Sequence, residues 1–214
     1  TGDGRSVLRR AAAEPRSQCI GIDAVAAAMA DASRRAARGR LGNAVFLVGG
    51  AETLGGSPLR GAADLVTVTF PWASLLRGVL GLAEASATLD GVAATLTEGG
   101  TLEVLASVVP ADGIPGLGSL SATADREIAA AWAQAGLVLT GMQPATAADI
   151  DASGSTWARR LSAGRHGSLG AHGSMGAHGS RGRRGPLGRD RPVWRLTGHR
   201  AVGGPVRSPA RSAR

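Results

Sequence analysis

Short apolar runs alternating with alanine-rich helical stretches constrain this chain more than any other feature. Gln18 to Asp23, Ala44 to Gly49, Leu65 to Phe70, Thr101 to Val108, Leu137 to Met142 and Val193 to Leu196 read as strands, most of them bounded by Gly, Pro or Asn. Arg5 to Ala13, Ala24 to Ala37, Ser86 to Leu96 and Asp125 to Ala135 read as the helices between them. Strand, helix, strand order with largely apolar strands predicts an α/β, doubly wound domain with a mostly parallel sheet. The last strand comes late, after a polar helical segment, which predicts that it joins beside its predecessor as a hairpin. A chain of 214 residues, 43% of them apolar, can bury one such core.

The glycine-rich turn Thr1-Gly2-Asp3-Gly4-Arg5 leads into the first helix. In nucleotide-binding domains such a turn follows a strand. The first, central strand of the sheet is therefore expected to be missing, exposing the edges of both its neighbours. Gly2 and Gly4 let the backbone approach a ligand. Asp23 ends the next strand about twenty residues on, the spacing at which a carboxylate reaches the ribose hydroxyls of a bound nucleoside. A nicotinamide cofactor would call for a third glycine where the chain has Val7, so S-adenosylmethionine is the better fit. Further along, Gly49-Gly50-Ala51-Glu52 supplies small residues beside which an adenine ring can slide, with a carboxylate to read its edge. Glu52 also suits a helix amino end.

At the end of the third apolar run stands Phe70-Pro71-Trp72. Pro71 cannot donate to a ladder and stops the strand, placing Trp72 at a carboxyl end, the rim where open α/β sheets bind ligands. Trp72 is a lid over a planar ligand or a plug on the core. Farther on, Trp157 and Arg160 stand three apart and share a helix face, a pairing that suits a base and its phosphate. With Trp72, Trp157 could close a sandwich around a base extruded from RNA. Trp132 and Trp194 read as packing.

Charge is polarised along the chain. Through Ala158 there are 11 Arg against 15 acids, whereas from Arg159 onward 13 Arg face Asp190 alone. A one-ended surplus of a bidentate phosphate binder points to nucleic acid, with a solvated tail as the alternative for the last residues. Residues 166–188 repeat His-Gly-Ser at His166, His172 and His178, a low-complexity insertion that cannot repay its ordering entropy by burial. Without nearby carboxylates or cysteines these histidines are not expected to bind metal. Cys19 stands alone and reads as a small buried hydrophobe. The absence of a bilayer-length apolar run or a leader pattern leads to the expectation of a cytoplasmic protein without membrane contact.

Together, Thr1-Gly2-Asp3-Gly4-Arg5, Ile20-Gly21-Ile22-Asp23, Ala51-Glu52-Thr53-Leu54, Phe70 to Leu76, Trp157-Ala158-Arg159-Arg160-Leu161 and Asp190 to Leu196 resemble the aminoglycoside-resistance 16S rRNA methyltransferases of the kanamycin-apramycin type. The resemblance runs from residue 1 to about 165 and resumes near 189. It implies a class I, Rossmann-like fold with a seven-stranded sheet, of which the first strand is missing here. The methyltransferase core would span 1–165, the insertion 166–188, the final core strand 189–197 and a basic, disordered tail 198–214. It also implies methylation of N1 of adenine 1408 in 16S rRNA of the 30S subunit by a monomer that uses S-adenosylmethionine.

On this resemblance Asp23 holds the cofactor ribose, with Gly2, Gly4, Phe70 and Pro71 around it, while Ala51 and Glu52 border the adenine. Trp72 and Trp157 stack the flipped target base. Arg160 holds the rRNA backbone, Arg165 or Arg189 and Arg191 support the distorted nucleotide, and Arg34 and Arg35 begin a basic stretch, with Arg38 and Arg40, that docks on rRNA. Related readings are a methyltransferase acting on another RNA or a small molecule, or an inactive RNA-binding fragment.

Overall fold

A computed structural model describes residues 2–109, 112–114, 120, 125–155 and 191–203. The predicted elements are present, with strands β1 (Cys19–Asp23), β2 (Ala44–Val48), β3 (Ala63–Thr69), β4 (Leu96–Ala106), β5 (Leu137–Pro144) and β6 (Trp194–Arg200). Helices α1 (Arg5–Ala13), α2 (Ala26–Arg38), α4 (Ser86–Thr95) and α5 (Asp125–Gln134) match the predicted stretches. Two short helices, α3 (Ala73–Val79) and α6 (Ala147–Ala152), were not predicted from periodicity. Each is held by tertiary packing, through Leu76 and Val79 in α3 and Ile150 in α6.

The expected single sheet is divided among the described residues. β1 pairs in parallel with β2, Cys19 opposite Ala44 through Asp23 opposite Val48, and forms a two-stranded sheet. The other four strands run in the order β3-β4-β6-β5. In this second sheet β3 and β4 are parallel while β6 is antiparallel to both β4 and β5. The hairpin expectation holds, and β6 is wedged between its predecessor and β4. No described strand joins β1 to β3, so the outer edge of each small ladder lacks a ladder partner among the described residues.

The division shows in burial. In the two-stranded sheet, Cys19 and Gly21 are buried on the face toward α1 and α2, whereas Ile20, Val45 and Leu47 on the opposite face remain 38% to 40% exposed. The four-stranded sheet has the real core. Val68, Leu102, Val104 and Leu196 pack with Val79, Leu89, Ile128 and Trp132. Trp132 is fully buried, with its indole Nε1 donating to the Val79 carbonyl at 2.9 Å, so its one polar atom is satisfied. Cys19 is buried with its thiol pKa raised, chiefly by desolvation, which leaves it the inert hydrophobe the sequence suggested. Among the described residues no helix is long and apolar enough to cross a membrane.

Candidate cofactor and target-base site

At the carboxyl end of β1 the Asp23 carboxylate accepts from the Gly2 N–H at 2.8 Å and from the Val25 N–H at 3.0 Å. Partial burial is the largest single influence and would raise its pKa, yet these two donors contribute to a net shift below the usual carboxylate value. Asp23 is therefore a fixed anion beside the glycine turn. Gly2 and Gly4 occupy the left-handed region at φ 58° and 73°. At Gly4 the requirement for glycine is double, because a Cβ would lie 2.6 Å from the Ala32 Cβ and 2.8 Å from the Phe46 ring. The turn is thus locked against α2 and β2, and Arg35 reinforces it by donating to the Asp3 carbonyl.

Beyond β2, the Gly49 N–H donates to the Asp23 carbonyl at 3.1 Å, which draws the start of the next turn to the same strand end. Ala51–Gly56 forms a 3-10 turn whose Ala51 carbonyl fits over Gly91 of α4. Ala51 is partly buried against the main core and Glu52 is exposed. The sequence-derived set of Gly2, Gly4, Asp23, Ala51 and Glu52 is thus assembled around the carboxyl ends of β1 and β2.

The Phe70-Pro71-Trp72 corner follows β3. Phe70 and Ala73 both adopt φ 48°, a left-handed conformation that costs a non-glycine residue roughly 1 to 2 kcal/mol. Backbone held in such a region on both sides of two residues is the kind of strain that functional sites carry. The surroundings enforce it. The Phe70 N–H donates to the Leu105 carbonyl at 2.7 Å, and its ring is buried with Leu105, Ile150 and Val193. Pro71 is buried as well, while Trp72 is 55% exposed. The plug alternative for Trp72 therefore fails, since its neighbours do the plugging and hold the indole outward. Phe70 and Pro71 build the corner.

The arginines divide. Arg34 is exposed and paired with Asp31 at 3.4 Å. Arg35 is turned inward to Asp31 and the glycine turn, so its first role is internal. Arg191 corrects an expectation more sharply. Its side chain is 5% exposed and makes a bidentate pair with Asp112 at 2.8 and 2.5 Å, with Nε on the Ser107 hydroxyl and Nη2 also on the Ser107 carbonyl. The protein already occupies that guanidinium, so it pins the entry to β6 instead of facing a nucleotide. Arg191 is the strongest cause of the depressed Asp112 pKa. Asp112 lies 79 residues away and carries no motif, so no sequence signal marked it. Trp157, Arg160, Arg165 and Arg189, like His166, His172 and His178, lie outside the described residues. Among the described residues no cluster of acids, histidines or cysteines could hold a metal.

The antiparallel β6 separates this sheet from those of dinucleotide-binding dehydrogenases, and with Asp23 locked beside a glycine turn it defines the methyltransferase class of α/β domains. Comparisons narrow the class. The family model for NpmA, described as 16S rRNA (adenine(1408)-N(1))-methyltransferase, matches residues 1–171, and the chain belongs to that family. A relative of that name from Streptoalloteichus hindustanus is 33% identical over 174 residues, covering 77% of this chain and 79% of its own length. Among solved structures, a tryptophan-to-alanine mutant of the enzyme from Catenulisporales acidiphilia with cosubstrate SAM is similar with a TM-score of 0.69 at 27% identity, covering 94% of this chain and 83% of that one. The 16S rRNA methyltransferase KamB is similar with a TM-score of 0.69 at 28% identity, covering 94% and 85%.

Proposed function

We propose that this chain transfers the methyl group of S-adenosylmethionine to N1 of adenine 1408 of 16S rRNA in the 30S subunit, which confers aminoglycoside resistance. The observation that carries the reading is Trp72, held out on a doubly left-handed corner at the carboxyl end of β3 in a chain that belongs to the 1408 methyltransferase family.

The residues present fit the cofactor. Asp23 is a fixed carboxylate suited to ribose hydroxyls, the turn at Gly2 leaves open space where a side chain would stand, and Ala51 and Glu52 offer a small wall and an acceptor for an adenine. The bound cofactor supplies an electrophilic methyl on a sulfonium. The protein's part is alignment. Adenine N1 already carries a lone pair, so the target needs in-line placement more than a strong base. Trp72 supplies one stacking wall, and Trp157 is proposed as the other. Arg34, Arg160, Arg165 and Arg189 are proposed to contact the rRNA backbone, and Ser107, Asp112 and Arg191 to hold the β6 entry in place beside Phe70. No general base is required, in keeping with a site built of aromatics and one fixed acid.

The two sheets are read as halves of one class I sheet, completed by a parallel strand between β1 and β3. Parallel pairing on both sides of the division supports this. A monomer acting in the cytoplasm, where 30S subunits reside, is the corresponding setting.

The test is transfer of labelled methyl from S-adenosylmethionine to purified 30S subunits, mapped by primer extension. A stop at adenine 1408 is expected. Transfer to another nucleotide, or none, refutes the reading.

A further inference from the structure

Helix α1 carries the cofactor turn at its start and, one helical turn further, an arginine that reaches out of its own layer. Nη2 of Arg9 donates to the Asp151 carbonyl at 2.7 Å and the Ala152 carbonyl at 2.5 Å, the last two of α6. The final carbonyls of a helix lack intrahelical partners, and a cation there is favoured by the helix dipole. The fit extends past the helix. Gly154 stands at φ 65°, and a Cβ on it would lie 3.1 Å from the Arg9 Cζ and 3.2 Å from its Nε, so the guanidinium lies over bare backbone.

The other side of α6 faces the target-base corner. Ile150 packs with Phe70, Leu105 and Val193, and Phe70 sets the left-handed corner that presents Trp72. The amino end of α6 is fixed independently, by the reciprocal Thr146 and Asp149 capping box and by the Arg195 pair with Asp149 at 3.4 Å. α6 is thus a short rigid block, tied to the second sheet at one end and to α1 by Arg9 at the other. α1 belongs to the two-stranded sheet and Phe70 to the four-stranded one, and no described strand pairing joins the two. Arg9 crosses that division.

We propose that Arg9 is a positioning residue for methyl transfer, setting α1 and its cofactor turn at a fixed distance from α6 and the Phe70-Trp72 corner. Its hydrogen bonds go to the α6 carbonyls, so its action is through placement of the two elements. Alignment over an in-line displacement is sensitive to such placement, since a shift of about 1 Å can cost on the order of a hundredfold in rate. The proposal rests on the functional reading above.

Arg9→Ala, Arg9→Lys and the unaltered chain are compared in three measurements. Arg9→Ala is expected to lower kcat for 30S methylation by about tenfold or more, with cofactor Kd by calorimetry within about twofold. Arg9→Lys is expected to recover most of that loss, because an ammonium still donates to both carbonyls. Hydrogen exchange gives a readout that needs no turnover: adding S-adenosylmethionine is expected to slow the amides of Ile150 to Ser153 in the unaltered chain and not in Arg9→Ala. Unchanged kcat, a cofactor Kd that weakens in step with kcat, or equal protection of α6 in both chains overturns the proposal. If Arg9→Ala does not fold, Arg9→Gln is judged by the same criteria. If the unaltered chain transfers no methyl, the functional reading fails while the exchange comparison still decides on Arg9.

Discussion

Replacing Trp72 by alanine separates the proposed stacking role from a structural one, because the two carry different magnitudes. The indole is 55% exposed, and the burial that holds the corner belongs to Phe70 at 8%. Losing a half-exposed ring costs less than about half of the 3 to 5 kcal/mol expected for a fully buried aromatic truncated to alanine. For a chain of this size each kcal/mol lowers Tm by roughly 2 to 4 °C, so a fall of only a few degrees is expected. Stacking of a base on an aromatic is worth about 1 to 3 kcal/mol, which corresponds to roughly 5- to 150-fold in the rate at limiting rRNA. The assay is labelled-methyl transfer to 30S subunits, with cofactor affinity by calorimetry and Tm measured on the same protein. Trp72→Phe keeps a ring and should recover most of the rate. Retention of full activity by Trp72→Ala, or a cofactor affinity that falls by the same factor as the rate, would refute the stacking wall.

Other expected outcomes follow from single contacts. Asp112→Asn leaves the buried Arg191 guanidinium without its anion and should cost about 3 to 5 kcal/mol in denaturant unfolding. Because Arg191 depresses the Asp112 pKa in the folded chain, that contribution is full above the unfolded carboxylate value of about 3.9 and is lost as pH falls through the lower folded value. The stability difference between the unaltered chain and Asp112→Asn should therefore shrink as the melt is repeated below about pH 4, and a constant difference would count against the pair. Gly4→Ala meets both a left-handed φ and the Ala32 and Phe46 side chains, so it should cost about 2 to 5 kcal/mol and weaken cofactor binding through the displaced turn. Calorimetry and thermal melts of that variant check both effects.

Much of this arrangement is legible in the sequence. Short apolar runs and alanine-rich stretches predict all six described strands and four of the six described α-helices, because both patterns are local. The spacing from Gly2 to Asp23 marks the acid as a ribose ligand, and its 2.8 Å hydrogen bond to the Gly2 N–H is a contact that only the structure shows. α3 and α6 escaped because each is too short for periodicity to show and is stabilised by partners distant in sequence, Ile150 by Phe70 and Leu105 for example.

Sequence by itself determined the class of fold, the candidacy of Asp23 and the glycine turn for the cofactor, and that of Trp72 for the target base, since each rests on residue type and short-range order. Tertiary structure decided which of those residues face outward. It exposed Trp72 by burying Phe70 and Pro71, turned Arg35 and Arg191 inward onto Asp3, Asp112 and Ser107, and laid Arg9 across α6. Such outcomes depend on charges and carbonyls tens of residues apart coming within 3.5 Å, a distance that only the packed chain sets.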